Sequence, residues 1–154
     1  MKSKILFALL ASSLLFSCKT PPAPATAVEY FIYGEFHCHC IAPQCAKLYK
    51  YTPGSVLTGK GAHCEMDDFT YEGESLPATD IAKAEALLAA VPAELYSSEE
   101  TTFGCPDCAD QGGYYISVKK DGKVQTWRID TQDQSLPAFL LPFHQKLIET
   151  FEQL

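Results

Sequence analysis

The dipeptide Asp121-Gly122, with the segments on either side of it, constrains the fold more than any other feature of the sequence. Tyr114–Lys120 and Lys123–Asp130 are rich in aromatic and β-branched residues, which is typical of β-strands. Asp-Gly is a preferred pair for a two-residue type I′ turn, in which both residues have positive φ. This turn fixes the strand register, so that Ile116 is predicted to pair with Trp127.

The predicted register divides the hairpin into two faces, because successive side chains of a strand point to opposite sides. The more apolar face is predicted to belong to the core, with Trp127 at its centre; it carries Tyr114, Ile116, Val118, Gln125, Trp127 and Ile129. The more polar face is predicted to point away from the core; it carries Tyr115, Ser117, Lys119, Thr126 and Arg128.

Further strands are predicted upstream, and a helix is predicted on each side of the hairpin. The strands are expected at residues 29–36, 46–52, 55–58 and 69–72, with a type II turn at Pro53-Gly54. The first helix begins at Thr79 or Asp80 and ends or kinks at Pro92, and its apolar face is formed by Ile81, Ala84, Leu87, Leu88 and Val91. The last helix runs from about Pro137 to the end, and its buried stripe is formed by Leu140, Phe143, Leu147, Phe151 and Leu154. Pro142 indicates either that this helix kinks or that its regular part starts there. His144 is expected on its surface.

The element order is strands, helix, hairpin, helix, without long βαβ crossovers. This order predicts an α+β fold, with a mainly antiparallel sheet and two helices packed on one face.

The N-terminus has the form of an export signal. Lys2 and Lys4 precede a twelve-residue apolar run from Ile5 to Phe16, which is too short to span a bilayer. The sequence Leu15-Phe16-Ser17-Cys18 resembles the lipobox of bacterial lipoproteins, in which cleavage occurs before a lipidated cysteine. The resemblance implies a signal peptide at 1–17 and a Cys18 that carries fatty acyl chains such as palmitate. A plain secretory signal and an uncleaved anchor are the alternatives.

The residues after Cys18 are predicted to form a tether and then one domain. Residues 18–28 are rich in proline and alanine, as in an extended spacer, and residues 29–154 form a single α+β domain. By lipoprotein sorting rules, Lys19 in place of aspartate favours the outer membrane. Removal of residues 1–17 changes the net charge from −7 to about −9 and leaves no basic run, which excludes a nucleic-acid partner.

The six cysteines after Cys18 predict a disulfide framework, because exported domains with an even number of cysteines usually pair them. They are Cys38, Cys40, Cys45, Cys64, Cys105 and Cys108. Spacing favours the local pairs Cys40–Cys45 and Cys105–Cys108, which leaves Cys38–Cys64. Six cysteines allow 15 pairings, so the other connectivities stay open.

Metal binding is the alternative interpretation of the same segments. Histidine and cysteine alternate at His37-Cys38-His39-Cys40 and recur at His63-Cys64, while Cys105 and Cys108 have the spacing of half a zinc site. If the first segment is extended, His37 and His39 lie on one face and Cys38 and Cys40 on the other, so either the two imidazoles, or the two thiols with Cys64, could hold the metal. The candidate ligands of zinc or copper are therefore His37, His39, His63, Cys105 and Cys108. Apart from this alternative, no cofactor is predicted.

Evidence for catalysis is weak. Cys105-Pro-Asp-Cys108 has the form of an oxidoreductase dithiol, but the glycines after it lead into a strand and not into the helix that activates such a thiol. The serine-hydrolase and zinc-protease motifs Gly-x-Ser-x-Gly and His-Glu-x₂-His are both absent. The sequence favours a non-enzymatic protein.

The segment Gly104–Ile116 (GCPDCADQGGYYI), together with the Asp-Gly hairpin and Trp127–Asp130, resembles uncharacterised small bacterial lipoproteins. The Cys40–Cys45 loop before a strand is also similar to a cysteine-loop domain of unknown function. These resemblances imply the fold and the envelope location, and no chemistry. We therefore expect a membrane-anchored protein with a binding or envelope-support role, whose partner is an envelope protein or a small ligand.

Overall fold

The computed structural model describes residues 28–40, 45–61 and 66–153. The predicted signal peptide, Cys18 and the tether up to residue 27 lie outside these ranges, as do His63, Cys64 and Leu154. None of the helices in the described ranges has the length and apolar character needed to cross a membrane.

The described residues form an α+β fold with one seven-stranded sheet and three α-helices. The strands are β1 (Val28–Phe36), β2 (Ala46–Thr52), β3 (Ser55–Lys60), β4 (Thr70–Tyr71), β5 (Thr102–Phe103), β6 (Gly113–Lys120) and β7 (Lys123–Asp130). Their order in the sheet is β4-β3-β2-β1-β6-β7-β5. All pairings are antiparallel except that of β5 with β7. The predicted fold class and the mainly antiparallel sheet are confirmed.

Both predicted turns are present. Ile116 pairs with Trp127, as the Asp-Gly turn requires. Asp121 and Gly122 have φ values of 54° and 73°, the positive values that a type I′ turn needs at both positions. In the β2–β3 connection, Gly54 has a φ of 83°, in agreement with its predicted place in a type II turn.

The helices are α1 (Ala78–Ala89), α2 (Ala93–Ser97) and α3 (Leu141–Phe151), and a 3₁₀ turn precedes α3. The five-residue α2 is absent from the prediction, which has two helices. It begins directly after Pro92, because proline ends one helix but fits well before the first turn of another. Pro142 lies in the first turn of α3, so the regular helix starts there and not at Pro137.

Two apolar clusters lie on opposite faces of the sheet. The main cluster combines strand residues such as Phe31, Ile116 and Trp127 with helix residues such as Leu87 and Leu147. The second cluster consists of Phe36, Leu48, Met66, Phe69 and Tyr115. Neighbouring strand residues alternate between the clusters, as Tyr115 and Ile116 do, because successive side chains point to opposite faces.

The second cluster corrects the prediction for the polar face of the hairpin. Tyr115 and Ser117 point away from the main core, as predicted, but they are only 6% and 2% exposed. The prediction for His144 is also wrong, because this residue of α3 is 4% exposed and its ring packs edge-on against Tyr114.

Gly34→Ala is expected to destabilise the protein strongly, because β1 and β2 approach closely at this position. A Cβ on Gly34 would overlap the carbonyl oxygen of Lys47 and would lie 2.7 Å from the Cα atom of Leu48. Backbone atoms cannot rotate away, so we expect a loss of about 3 kcal/mol in the free energy of unfolding.

Gly54→Ala is the control for this variant, because a Cβ there has no atom within 4 Å and only its φ of +83° is unfavourable. We expect it to cost about 1 kcal/mol. Denaturant-induced unfolding of both variants tests the prediction, and equal losses would contradict it.

Candidate functional site

The predicted site residues meet at one end of the sheet, where the loop after β1 approaches the loop before β6. Phe36 at the end of β1 pairs with Gly113 at the start of β6, so the two loops are neighbours. We call residues 37–40 with Cys45, together with residues 104–112, the cysteine-loop pair.

Each loop of the cysteine-loop pair contains a local disulfide. Cys40 is bonded to Cys45, and Cys105 is bonded to Cys108, so the predicted disulfide bonding is confirmed for these two pairs. Cys38 is also disulfide-bonded. Its predicted partner, Cys64, lies outside the described residues, so that pairing stays a prediction.

Asp107 joins the two loops through its carboxylate. Its Oδ2 atom accepts a hydrogen bond of 2.8 Å from the backbone N–H of Cys38, and its Oδ1 atom accepts one of 2.9 Å from Gly112. The backbone N–H of Asp107 donates in turn to the carbonyl of Gly112. Its φ of 61° is in the left-handed region, which aspartate tolerates better than most residues. Asp107 therefore fixes the relative position of the loops.

Both histidines of the His-Cys-His-Cys segment contact the second loop. The ring of His37 lies directly against Gly112, where even a Cβ atom would overlap it. The Nδ1 atom of His39 lies 3.0 Å from the Oδ1 atom of Asp110, and both side chains are mostly exposed. The structure thus brings His37 and His39 to the same end of the sheet as Cys105 and Cys108.

The described residues do not assemble these candidates into a metal centre. No group of three or more His, Cys, Asp or Glu residues in the described ranges is placed to hold a metal ion. Cys105 and Cys108 are bonded to each other, whereas zinc binds the thiolate form of cysteine. His63 lies outside the described residues and leaves its part of the prediction open.

The Cys105–Cys108 disulfide lacks the environment of an oxidoreductase. Cys108 and Ala109 lie in a turn, Asp110 in a bend, and Gln111 and Gly112 in irregular chain before β6 begins, so no helix follows Cys108 in the described loop. A helix N-terminus is one of the main features that lowers a thiol pKa in such enzymes. The arrangement resembles a braced loop more than an activated dithiol.

Asp130 holds the second loop in place through hydrogen bonds of its carboxylate. It is not among the site residues predicted from the sequence. This residue ends β7 and is only 3% exposed. Its Oδ2 atom accepts hydrogen bonds from the backbone N–H of Cys105 (2.7 Å) and the hydroxyl of Ser135 (2.8 Å), while Oδ1 accepts one from the N–H of Gln132. Burial acts to raise the pKa of Asp130, but these hydrogen bonds outweigh it and hold the pKa below its usual 3.8.

A scan against protein-family models found none that matches the chain, and a search of curated proteins found no significant similarity.

Asp130→Asn is expected to destabilise the protein at pH 7 by about 2 kcal/mol, because an amide NH₂ group would face donors that now bind a carboxylate. The folded pKa of Asp130 is lowered, so its contribution is complete above the unfolded pKa and is lost as the pH falls through the folded pKa. The difference between the two proteins should therefore shrink below about pH 4.

Urea-induced unfolding measured from pH 7 to pH 3 tests this prediction. The matched control is Asp133→Asn in the neighbouring 3₁₀ turn, whose side chain is exposed. The control should have little effect at any pH. A difference for Asp130→Asn that stays constant across this range would contradict the prediction.

Proposed function

We propose that this chain is a lipid-anchored protein of the bacterial cell envelope, with a non-enzymatic domain that binds a partner or supports the envelope. Residues 1–17 direct export, Cys18 carries the acyl chains, and Lys19 favours the outer membrane as the destination. The observation that supports this proposal is the cysteine-loop pair, in which two disulfides brace adjacent loops. Such bonds persist in oxidising compartments outside the cytoplasm.

A binding role agrees better with the cysteine-loop pair than a catalytic role does. The carboxylates of Asp107 and Asp130 accept hydrogen bonds from backbone N–H groups, so both side chains have a structural role. The disulfide between Cys105 and Cys108 leaves no thiolate in the described loop. What the loops offer to a partner is a fixed shape with the exposed side chains of His39 and Asp110.

We further propose that α1 and α3 form the layer that covers one face of the sheet, as the sequence predicts. Support comes from the main cluster, to which Leu87 of α1, Leu147 of α3 and Trp127 of the sheet all belong. The opposite face then carries the second cluster.

Metal binding is the second candidate function, and the contact between His39 and Asp110 favours it. An imidazole nitrogen and a carboxylate oxygen that lie 3.0 Å apart can both turn toward a zinc or copper ion. This alternative requires reduced Cys105 and Cys108, or further ligands from His37 and His63.

Lipid attachment at Cys18 is tested by expression of the full chain in a bacterial host fed with an alkyne analogue of palmitate. We expect the chain to be labelled and to fractionate with membranes, because several acyl chains hold a protein firmly to a bilayer. Cys18→Ala should abolish both properties, whereas Ser17→Ala should keep them, since a small residue still precedes the cysteine. Equal labelling of Cys18→Ala would contradict the proposal.

The two candidate functions are separated by the intact mass of the exported chain after alkylation without reductant. The disulfide-braced domain predicts that Cys38, Cys40, Cys45, Cys64, Cys105 and Cys108 all remain unmodified, with no metal in the native mass. Alkylation of Cys105 and Cys108 with one zinc or copper ion retained would instead favour the metal-binding function.

A further inference from the structure

The sheet face opposite the main cluster carries a groove that the preceding arguments do not use. This sheet groove has a volume of about 240 Å³, and the aromatic rings of Tyr30, Phe69, Tyr71 and Tyr115 form much of its lining. Lys50 is the charged residue of the lining, which contains no aspartate or glutamate among the described residues. The chain as a whole has a net charge of −7, whereas the described lining of this groove has a positive charge.

Lys50 is held in the sheet groove by aromatic rings and not by an acidic partner. Its Nζ atom lies 5.0 Å from the ring centre of Tyr30 and 5.4 Å from that of Tyr71. None of the ion pairs between described residues includes Lys50. Cation–π contacts orient the ammonium group but do not neutralise its charge. An anion in the groove could therefore pair with an ammonium group that is already in position.

The sheet groove also offers hydroxyl groups. The hydroxyl of Tyr71 is buried and has no hydrogen-bond partner in the described structure, and burial raises the pKa of this phenol well above its usual value. A buried polar group without a partner costs about 1–3 kcal/mol, which a ligand hydroxyl would recover. Thr126 adds a half-buried hydroxyl, which donates a hydrogen bond of 3.1 Å to the buried hydroxyl of Ser117.

We propose that the sheet groove binds an acidic saccharide, with a carboxylate on the sugar that pairs with Lys50. The flat apolar side of a sugar ring packs on the tyrosine rings, and its hydroxyls reach Tyr71 and Thr126. The volume of the groove suits about one sugar unit. An aromatic acid would use the rings and Lys50 but would leave the hydroxyl of Tyr71 without a hydrogen-bond partner.

This inference extends the proposed binding role, and it is tested separately from anchoring. The full chain in mild detergent is titrated with digalacturonate and with the uncharged digalactose by calorimetry. Digalacturonate should bind at least tenfold more tightly, and its affinity should fall as the salt concentration rises. Lipid labelling of the same preparation reports on Cys18, so failure to bind with normal labelling overturns only the saccharide site.

Lys50→Met should weaken digalacturonate binding at least tenfold, because it keeps the apolar stem and removes the charge. The matched control is Lys47→Met, since Lys47 lies on the same strand, on the opposite face, with its Nζ atom 5.6 Å from the ring of Tyr49. The control should bind normally. Equal losses in the two variants, with unchanged unfolding curves, would overturn the proposal.

Tyr71→Phe separates binding from packing. Because the Tyr71 hydroxyl has no partner in the described structure, its removal should leave the free energy of unfolding unchanged or raise it, while digalacturonate binding falls severalfold. Benzoate and inorganic phosphate are titrated as further probes. If either binds as tightly as digalacturonate, the groove is a site for aromatic acids or simple anions, and the saccharide proposal is wrong.

Discussion

The pairing of β1 with β6 is the interaction on which the remaining structure depends. β1 lies between β2 and β6, so it joins the hairpin of β2 and β3 to the hairpin of β6 and β7. Phe31 pairs with Val118 and Gly34 with Tyr115, which places one residue pair in the main cluster and the other beside the second cluster. The same pairing brings the loop after β1 to the loop before β6. Both clusters and the cysteine-loop pair therefore exist because of this one ladder.

The parts of the fold that were predicted correctly are those encoded by local sequence. The register of β6 and β7 follows from two turn residues, and the face of α1 follows from the spacing of Ala84 and Leu87. The position of β1 between β2 and β6 has no local signal, because its paired residues in β6 lie 77 (Phe36 and Gly113) to 92 (Val28 and Lys120) positions away in the chain. β5 and α2 were missed because two and five residues are too few to show a periodicity.

The candidate site divides in the same way. The short spacing in the sequence already favours the disulfides Cys40–Cys45 and Cys105–Cys108. The roles of Asp107 and Asp130 could not be predicted, because their partners are backbone N–H groups at distant positions, and any residue except proline supplies such a group. His144 was assigned to the surface because the helical pattern does not show that Tyr114 of β6 packs against it.

The middle of β6 has no side that faces solvent, since the residues from Tyr114 to Val118 are all buried. Ser117 is polar within this stretch, and its hydroxyl is satisfied by Thr126 of the neighbouring strand. A substitution at the base of the sheet groove must therefore also suit the main cluster on the other face of the same strand. In homologous chains that bind a different ligand, we expect the buried residues Tyr115 and Ser117 at the base of the groove to be kept. The lining side chains of β1, β2 and β7 are expected to vary instead.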